Sequence, residues 1–192
     1  MDDEAKELTK IGMEVALRPV TSNAENVLGV AGGDWLSEVR ARNRARLKAN
    51  TEKILHDRNV KATADASPSI VVPLLSAAQE EGREELQDIW ARLLAAALDP
   101  SRKHLFRREY VEIVRRLEPL DTLVLRQLNT STNLTPNRLA WIANRLSKAE
   151  DEVALAFRNL QKLELIEPPG ANNVHVPLPS ALGKQFLVTV GQ

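Results

Sequence analysis

The side chains that most often perform catalysis or bind metals are few in this sequence and lie far apart. The histidines are His56, His104 and His175, and none forms an HExxH motif or an i, i+4 pair, the spacing that puts two imidazoles on one helix face. His104 is interpreted as part of an exposed basic turn, and His175 as a surface position at a strand edge. Because neither a G-x-S-x-G elbow nor a P-loop is present, the sequence predicts a protein that is not an enzyme.

Carboxylates offer a second kind of chemistry, the binding of a cation. Glu80, Glu81, Glu84 and Glu85 form a cluster, but the alternating oxygen ligands of a cation-binding loop are absent, so a solvated helix face is favoured. The chain contains no cysteine, which excludes disulfides, thiolate metal sites and cysteine nucleophiles. Neither a metal nor a cofactor is expected.

The glycines of the segment NVLGVAGGDWL are the third candidate, as a phosphate-binding loop. Gly29, Gly32 and Gly33 lack the dinucleotide-binding spacing, and no strand precedes them. A tight chain reversal or a close helix contact is the favoured interpretation. Asp34 is predicted to cap the helix that follows.

Basic side chains provide the last candidate chemistry, which is contact with a nucleic-acid backbone. In the last third of the chain these residues are Arg138, Arg145, Lys148, Arg158 and Lys162. They form a phosphate-binding surface only if they converge. The 26 basic and 26 acidic residues of the whole chain cancel, so the overall field does not steer the protein to DNA or to an anionic membrane.

The elements around these basic residues predict a winged helix. Three short amphipathic helices precede a Gly/Asn turn between two β-prone pieces and a last apolar segment. The hairpin is centred near residues 170–173. The third helix is predicted to turn one apolar face inward, formed by Val153, Phe157, Leu160 and Leu163.

The third helix has the wrong charge for reading a DNA groove. It begins SKAEDE, which places Glu150, Asp151 and Glu152 where a winged helix meets phosphate, and the wing EPPGANNVHVPLP contains no Lys or Arg. The acids fit the helix dipole instead, with Ser147 as the capping residue. A module for protein docking or dimerisation is favoured, and a winged-helix DNA-binding transcriptional regulator is the alternative.

The first two-thirds of the chain are predicted to form helices separated by helix-breaking residues. A short helix is predicted over 3–17 and a long one from Trp35 to about Asp57. The stripe of the long helix consists of Leu36, Asn43, Leu47, Asn50 and Ile54. Residues 36–62 carry eight basic and three acidic side chains, and are interpreted as a solvated or paired surface rather than one that binds nucleic acid or lipid phosphate.

An acidic segment follows as the partner of the basic helix. Residues 76–99 carry six acids and two arginines, in two helical patterns joined near Gly82. The apolar face of the second pattern predicts that Trp90 and Leu93 are buried against the 36–57 helix. Asp99-Pro100 should end that helix. The next helix buries residues predicted by the same periodicity, namely Tyr110, Ile113, Val114 and Leu117.

The expected fold class is mainly α, with a helical N-terminal part (1–117) packed on a C-terminal winged-helix-like module (118–192) with a small β-hairpin. The acidic start MDDEAKELTK lacks the apolar core of a secretory signal. No apolar run approaches the roughly 20 residues that span a bilayer. A cytoplasmic protein is expected.

Several blocks, in order, resemble the Abi-alpha family, bacterial proteins named for abortive infection. The most distinctive are LLSAAQEEGREELQDIWARLLAAALDP and EPLD, and the resemblance covers roughly residues 24–188. It implies an association with defence against phage and provides no catalytic residues. The distinctive positions resemble sites of helix packing and pairing: Glu84, Glu85, Leu86, Asp88, Trp90 and Leu93.

The function expected from these observations is that of a non-enzymatic, cytosolic protein associated with phage defence that acts through protein–protein contacts. A protein partner or self-association is expected. Binding to nucleic acid, if present, is expected to be weak and non-specific, through the basic surface of residues 36–62.

Overall fold

The structure is a computed structural model that describes residues 30–130, 138–168 and 177–191. Within these ranges the chain forms α-helices, which we number in order: α1 (Val30–Asp57), α2 (Pro68–Glu80), α3 (Glu84–Leu98), α4 (Glu109–Arg116), α5 (Pro119–Thr130), α6 (Arg138–Leu146), α7 (Glu150–Lys162) and α8 (Ala181–Thr189). A short 3-10 helix spans Lys103–Leu105. The helix predicted over 3–17 lies outside the described residues.

The chain divides into two compact units, unit 1 (Met1–Val111) and unit 2 (Glu112–Gln192). The domain boundary expected after residue 117 stays a prediction. None of the described helices combines the length and the apolar character needed to cross a membrane.

The beginning of α1 differs from the sequence interpretation. The helix begins at Val30, so Gly32, Gly33 and Asp34 lie inside it. The predicted chain reversal at these glycines and the predicted capping role of Asp34 are therefore wrong. A glycine inside a helix costs only about 1 kcal/mol relative to alanine, which the rest of a 28-residue helix can offset. Gly29 lies outside the described residues.

Unit 1 is built from α1, α2 and α3, with α1 packed against both of the others. The prediction for α3 is confirmed, because Trp90 and Leu93 are almost completely buried. On α1, Asn43 and Leu47 of the predicted stripe are buried, while Thr51 and Leu55, which the prediction left out, are buried beside them. The remaining stripe residues, Leu36, Asn50 and Ile54, are half-buried.

The joints between these helices follow local sequence signals. Pro68 occupies the first position of α2, where its missing N–H costs nothing. Gly82 lies between α2 and α3, as expected, and α3 ends at Leu98, directly before Asp99-Pro100. The residues predicted to be buried in the next helix, Tyr110, Ile113, Val114 and Leu117, are all buried.

Unit 2 contains α5, α6, α7 and α8. Helix α7 packs against α5 and α6, and α8 contacts α5. The predicted inward face of α7 is confirmed, because Val153, Phe157, Leu160 and Leu163 are all buried.

The winged-helix-like fold with a small β-hairpin is wrong. Within the described residues no strand forms, and the two β-prone pieces meet only in an isolated antiparallel bridge between Ile166 and Pro179. The bond from Glu167 N–H to the Leu178 carbonyl measures 2.9 Å. Pro168, Pro177 and Pro179, which lie beside or in this bridge, have no N–H to donate, which prevents a ladder from extending. The predicted turn at 170–173 lies outside the described residues.

Three helices end in the same backbone motif without glycine. Asn59, Ser147 and Glu164 have positive φ angles of 55°, 52° and 58°. Each precedes an N–H that reaches back five residues, as in Lys148 to the Ala143 carbonyl at 2.9 Å, which is the pattern of a Schellman motif. Ser147 therefore ends α6, and its predicted role as the cap of α7 is wrong.

Candidate functional site

Unit 1 contains a buried polar corner where the turn between α2 and α3 meets α1. The Asn43 amide donates to the Gln79 carbonyl at 3.0 Å. The Gln87 amide donates to the Ala78 carbonyl at 2.8 Å and also to the carbonyl of Glu81. The last carbonyls of a helix have no partners within the helix. Two amides from the neighbouring helices satisfy the end of α2, which fixes the register of the three helices.

Ion pairs surround this corner and join the basic helix to the acidic segment. Arg40 lies 3.2 Å from Glu80, and Arg46 lies 3.4 Å from Glu84. These side chains are largely exposed, so each pair contributes about 0–1 kcal/mol. The pairs orient α1 against the α2–α3 turn, while the buried apolar residues supply most of the packing energy.

Glu81 is the most strongly held carboxylate of the cluster. Its Oε1 lies 2.9 Å from Arg83 Nε and accepts the Arg83 backbone N–H at 3.0 Å. Partial burial opposes the charge, but the hydrogen bonds and the charge of Arg83 outweigh it and lower the pKa of Glu81. This carboxylate closes the turn and is already engaged by protein donors.

The other candidates for chemistry are dispersed. His56 and His104 are exposed, in different elements, and His175 lies outside the described residues. Within the described ranges, no three His, Cys, Asp or Glu side chains are arranged to hold a metal ion.

A second charged cluster lies where α1 and α3 end. Asp99 is buried, and its Oδ1 accepts from the Ser101 N–H at 2.9 Å and hydroxyl at 2.6 Å. Partial burial lowers the pKa of Arg58, the positive charges of Arg102 and Arg92 lower it further, and Asp99 opposes them. The carboxylate therefore both caps the turn after α3 and balances a group of arginines.

The five basic residues of the nucleic-acid alternative do not share one environment. Arg138 is buried, and its Nη2 donates to the Leu128 carbonyl at 3.0 Å; burial lowers its pKa. Arg145 donates to Gln127 Oε1 at 2.8 Å and lies 5.6 Å from the centre of the Trp141 ring. Both arginines lie on α6, and both donate hydrogen bonds to residues of α5.

The other three basic residues, Lys148, Arg158 and Lys162, are exposed. Arg158 and Lys162 lie one turn apart on α7, whereas Lys148 precedes that helix. Lys148 lies before the first turn of α7, whereas Arg158 lies eight residues beyond the first residue of that helix, about 12 Å along its axis. Only Arg158 and Lys162 therefore form a local basic patch by helical register.

The outward face of α7 carries a residue that the sequence interpretation missed. Leu155 is 60% exposed, although the other large apolar side chains of α7 are buried. It shares one face with Asp151, Arg158 and Lys162, all exposed, because spacings of four, three and four residues place them in line. Position 155 falls outside the inward pattern of 153, 156, 157 and 160, so the helical period alone was a sufficient signal.

The positions that distinguish the family resemblance have structural roles. Leu86, Trp90 and Leu93 are buried in unit 1. Glu84 pairs with Arg46, and Asp88 accepts from Arg92 Nε at 2.7 Å. Glu85 is exposed in the first turn of α3, where a negative charge is favourable.

Comparison with known proteins places these residues in a family. The family model described as Abortive infection alpha matches residues 40–180, from within α1 to Ser180, directly before α8. Comparisons with curated proteins and with solved structures gave no match. Since the matched region covers most of the 192 residues and includes the α2–α3 corner, the chain belongs to the Abortive infection alpha family.

Proposed function

We propose that this chain acts in abortive infection as a non-enzymatic, cytosolic protein that works through contacts with other proteins. Membership of the Abortive infection alpha family supports the association with phage defence. The observation that carries the contact role is Leu155, which exposes 60% of its surface on a helix whose other large apolar side chains are buried.

The environment of Leu155 fits a protein interface. Its helix offers an apolar side chain at the centre and charged residues at both ends, and interfaces commonly combine an apolar centre with a polar rim. Leu123 and Val188, on α5 and α8, are further exposed apolar residues of unit 2. Burying a leucine side chain against a partner contributes about 1.5–3 kcal/mol.

The use of the family's distinctive residues supports a role without catalysis. Leu86, Trp90 and Leu93 form core packing, and Glu84 and Asp88 are engaged by arginines. These residues stabilise the α1–α3 assembly. These side chains therefore serve packing and ion pairing, which supports a structural role for them.

A phage-infection assay tests the proposal. Bacteria that express the intact chain are compared with bacteria that express Leu155→Asp, and plaque formation and host survival are measured. We expect Leu155→Asp to lose protection, because the free-energy cost of burying an unpaired carboxylate at the centre of the interface exceeds the free energy gained from contacts with the partner. Val72→Asp is the matched control, since Val72 is an exposed apolar residue of α2 in unit 1, and it should retain protection.

Two further variants address catalysis. His104→Ala and Glu85→Gln change exposed residues that could transfer protons, and both should protect as well as the unaltered chain. Loss of protection in either variant, with a normal circular dichroism spectrum and intact protection by Leu155→Asp, would refute the proposal in favour of an enzyme.

A further inference from the structure

The exposed stripe of α7 has opposite charges at its two ends. Its members are Asp151, Leu155, Arg158 and Lys162, all exposed to solvent. The first turn of the helix is acidic throughout, with Glu150, Asp151 and Glu152. The bases lie beyond Leu155, so the stripe runs from negative through apolar to positive.

We infer that this stripe is a self-association surface, covered by the α7 of a second copy of the chain in antiparallel orientation. The inference deepens the proposed contact role and rests on it, and it names the partner. The two-fold axis passes near residues 156 and 157, the midpoint between Asp151 and Lys162. Asp151 of each copy then lies opposite Lys162 of the other.

Symmetry makes the charge pattern self-complementary in one orientation. A two-fold interface uses the same patch on both subunits. The distance from Asp151 to Lys162 is about 16 Å along either helix, at 1.5 Å per residue, so both acid–base pairs form at once. A parallel arrangement would instead place acids against acids and bases against bases.

The apolar centre fits the same arrangement. With the axis near residues 156 and 157, each Leu155 lies beside Arg158 of the second copy, whose aliphatic stem can cover apolar surface while its guanidinium stays in water. Pairing α7 with itself thus removes Leu155 from water without burying a charge.

The expected dimer is weak and salt-sensitive. One pair of 13-residue helices covers less than the roughly 800 Å² per partner of a standard interface. Its ion pairs are near solvent, where salt screens them. The chain should therefore be monomeric when dilute and dimerise as concentration rises at low salt.

Charge reversals provide the test, with sedimentation equilibrium of the full chain as the measurement. Asp151→Lys and Lys162→Asp should each weaken dimerisation about tenfold, equivalent to about 1.4 kcal/mol, because each places like charges together twice. An equimolar mixture of the two variants should recover association, since both pairs in the mixed dimer are again opposite in charge. Lys53→Glu, at an exposed position of α1, is the control and should leave association unchanged.

Cross-linking provides a second readout that does not depend on these charges. The chain contains no cysteine, so Leu155→Cys introduces a single thiol. A short bis-maleimide should link two Leu155→Cys chains efficiently and two Val72→Cys chains poorly. Thermal unfolding of each variant separates loss of association from loss of fold.

The inference is overturned if the chain stays monomeric to millimolar concentration at low salt, if mixing the reversed variants restores nothing, or if the two cysteine variants cross-link equally. Its failure is distinguishable from failure of the proposed function. A monomeric chain whose Leu155→Asp variant loses phage protection would refute self-association and leave contact with another protein. If the dimer forms as described but Leu155→Asp protects fully, self-association stands. The proposal that contacts through Leu155 serve phage defence then loses its support.

Discussion

Asn159 of α7 donates through its Nδ2 atom to Oδ2 of Asp121, at 2.6 Å, in the first turn of α5. The same nitrogen donates to the Arg116 carbonyl at 2.9 Å. Asp121 Oδ2 also accepts the Glu118 N–H at 2.7 Å, as the third residue of a helix does in a capping box. One amide thus joins α7 to both sides of the turn before α5, and this polar contact fixes the arrangement inside unit 2.

The buried position of Asp121 makes the stability of the protein depend on pH. Burial raises the pKa of Asp121 above its ordinary value of 3.8, although hydrogen bonds from Glu118 and Asn159 oppose the shift. A raised pKa in the folded state means that stability from this group is complete below pH 3.8 and is lost as pH rises through the folded pKa.

We therefore expect Asp121→Asn, which keeps an acceptor and carries no charge, to gain stability relative to the unaltered chain as pH rises through that window. Urea unfolding at a series of pH values measures the difference. Leu155→Ala, at an exposed position and without any change of a titratable group, is the control and should show no comparable trend. A difference between Asp121→Asn and the unaltered chain that is constant with pH would contradict the assignment.

Gly183 allows α8 to begin directly over the turn after α7. A Cβ at this position would overlap the backbone carbonyl of Leu165, which accepts the Ser180 N–H at 3.0 Å. We expect Gly183→Ala to destabilise the fold by about 1–3 kcal/mol, as overpacking of a close contact does. Gly82→Ala is the control, because a Cβ at Gly82 meets open space, and thermal unfolding should show it to be nearly neutral.

Leu93 tests the core of unit 1. The side chain is fully buried on α3, so Leu93→Ala removes apolar contacts and leaves a cavity. The expected loss of unfolding free energy is about 2–5 kcal/mol in denaturant titrations. Leu155→Ala makes the same chemical change at an exposed site and should alter the stability of the dilute protein by less than about 0.5 kcal/mol. Equal effects at both positions would contradict the assigned core.

Replacing Glu164 by glycine should increase the stability of the protein. Its φ of 58° places a Cβ-bearing residue in the left-handed region, at a cost of about 1–2 kcal/mol. Glycine removes that strain but loses more backbone entropy on folding, so Glu164→Gly is expected to raise unfolding free energy by about 0.5 kcal/mol. Lys184→Gly, inside α8, should instead lower it by about 1 kcal/mol. Calorimetry that shows Glu164→Gly to be the more destabilising of the two would refute the argument.

Binding to nucleic acid should be weak and should not depend on sequence. Arg40 and Arg46 of the basic surface are paired with glutamates, whereas Arg42, Lys53 and Lys61 are exposed. Fluorescence anisotropy against random and genomic DNA should show similar, weak affinities that disappear at moderate salt, because phosphate contacts release counterions. A specific nanomolar site weakened by changing Arg158 or Lys162 would contradict this prediction.

The sequence by itself determined the helical character and much of each buried face. Residues such as Trp90, Leu93, Val153 and Leu160 repeat with the helical period and are too apolar to remain in water, so their positions follow from local geometry. The same period placed Leu155 outside the inward face of α7. Family membership was also readable from the order of the blocks.

The tertiary structure alone decided where α1 begins, how the last two β-prone pieces pair and which polar groups meet. Gly32 and Gly33 are helical because the free-energy cost of a glycine in a helix is small compared with the stabilisation of the long helix that contains them. The β-prone pieces near Ile166 and Pro179 form one bridge, since their prolines cannot donate to a ladder. The partners of Asn43 and Asn159 are backbone carbonyls distant in sequence. Such hydrogen bonds depend on how whole helices pack against one another. The local periodicity of the sequence carries no information about that packing.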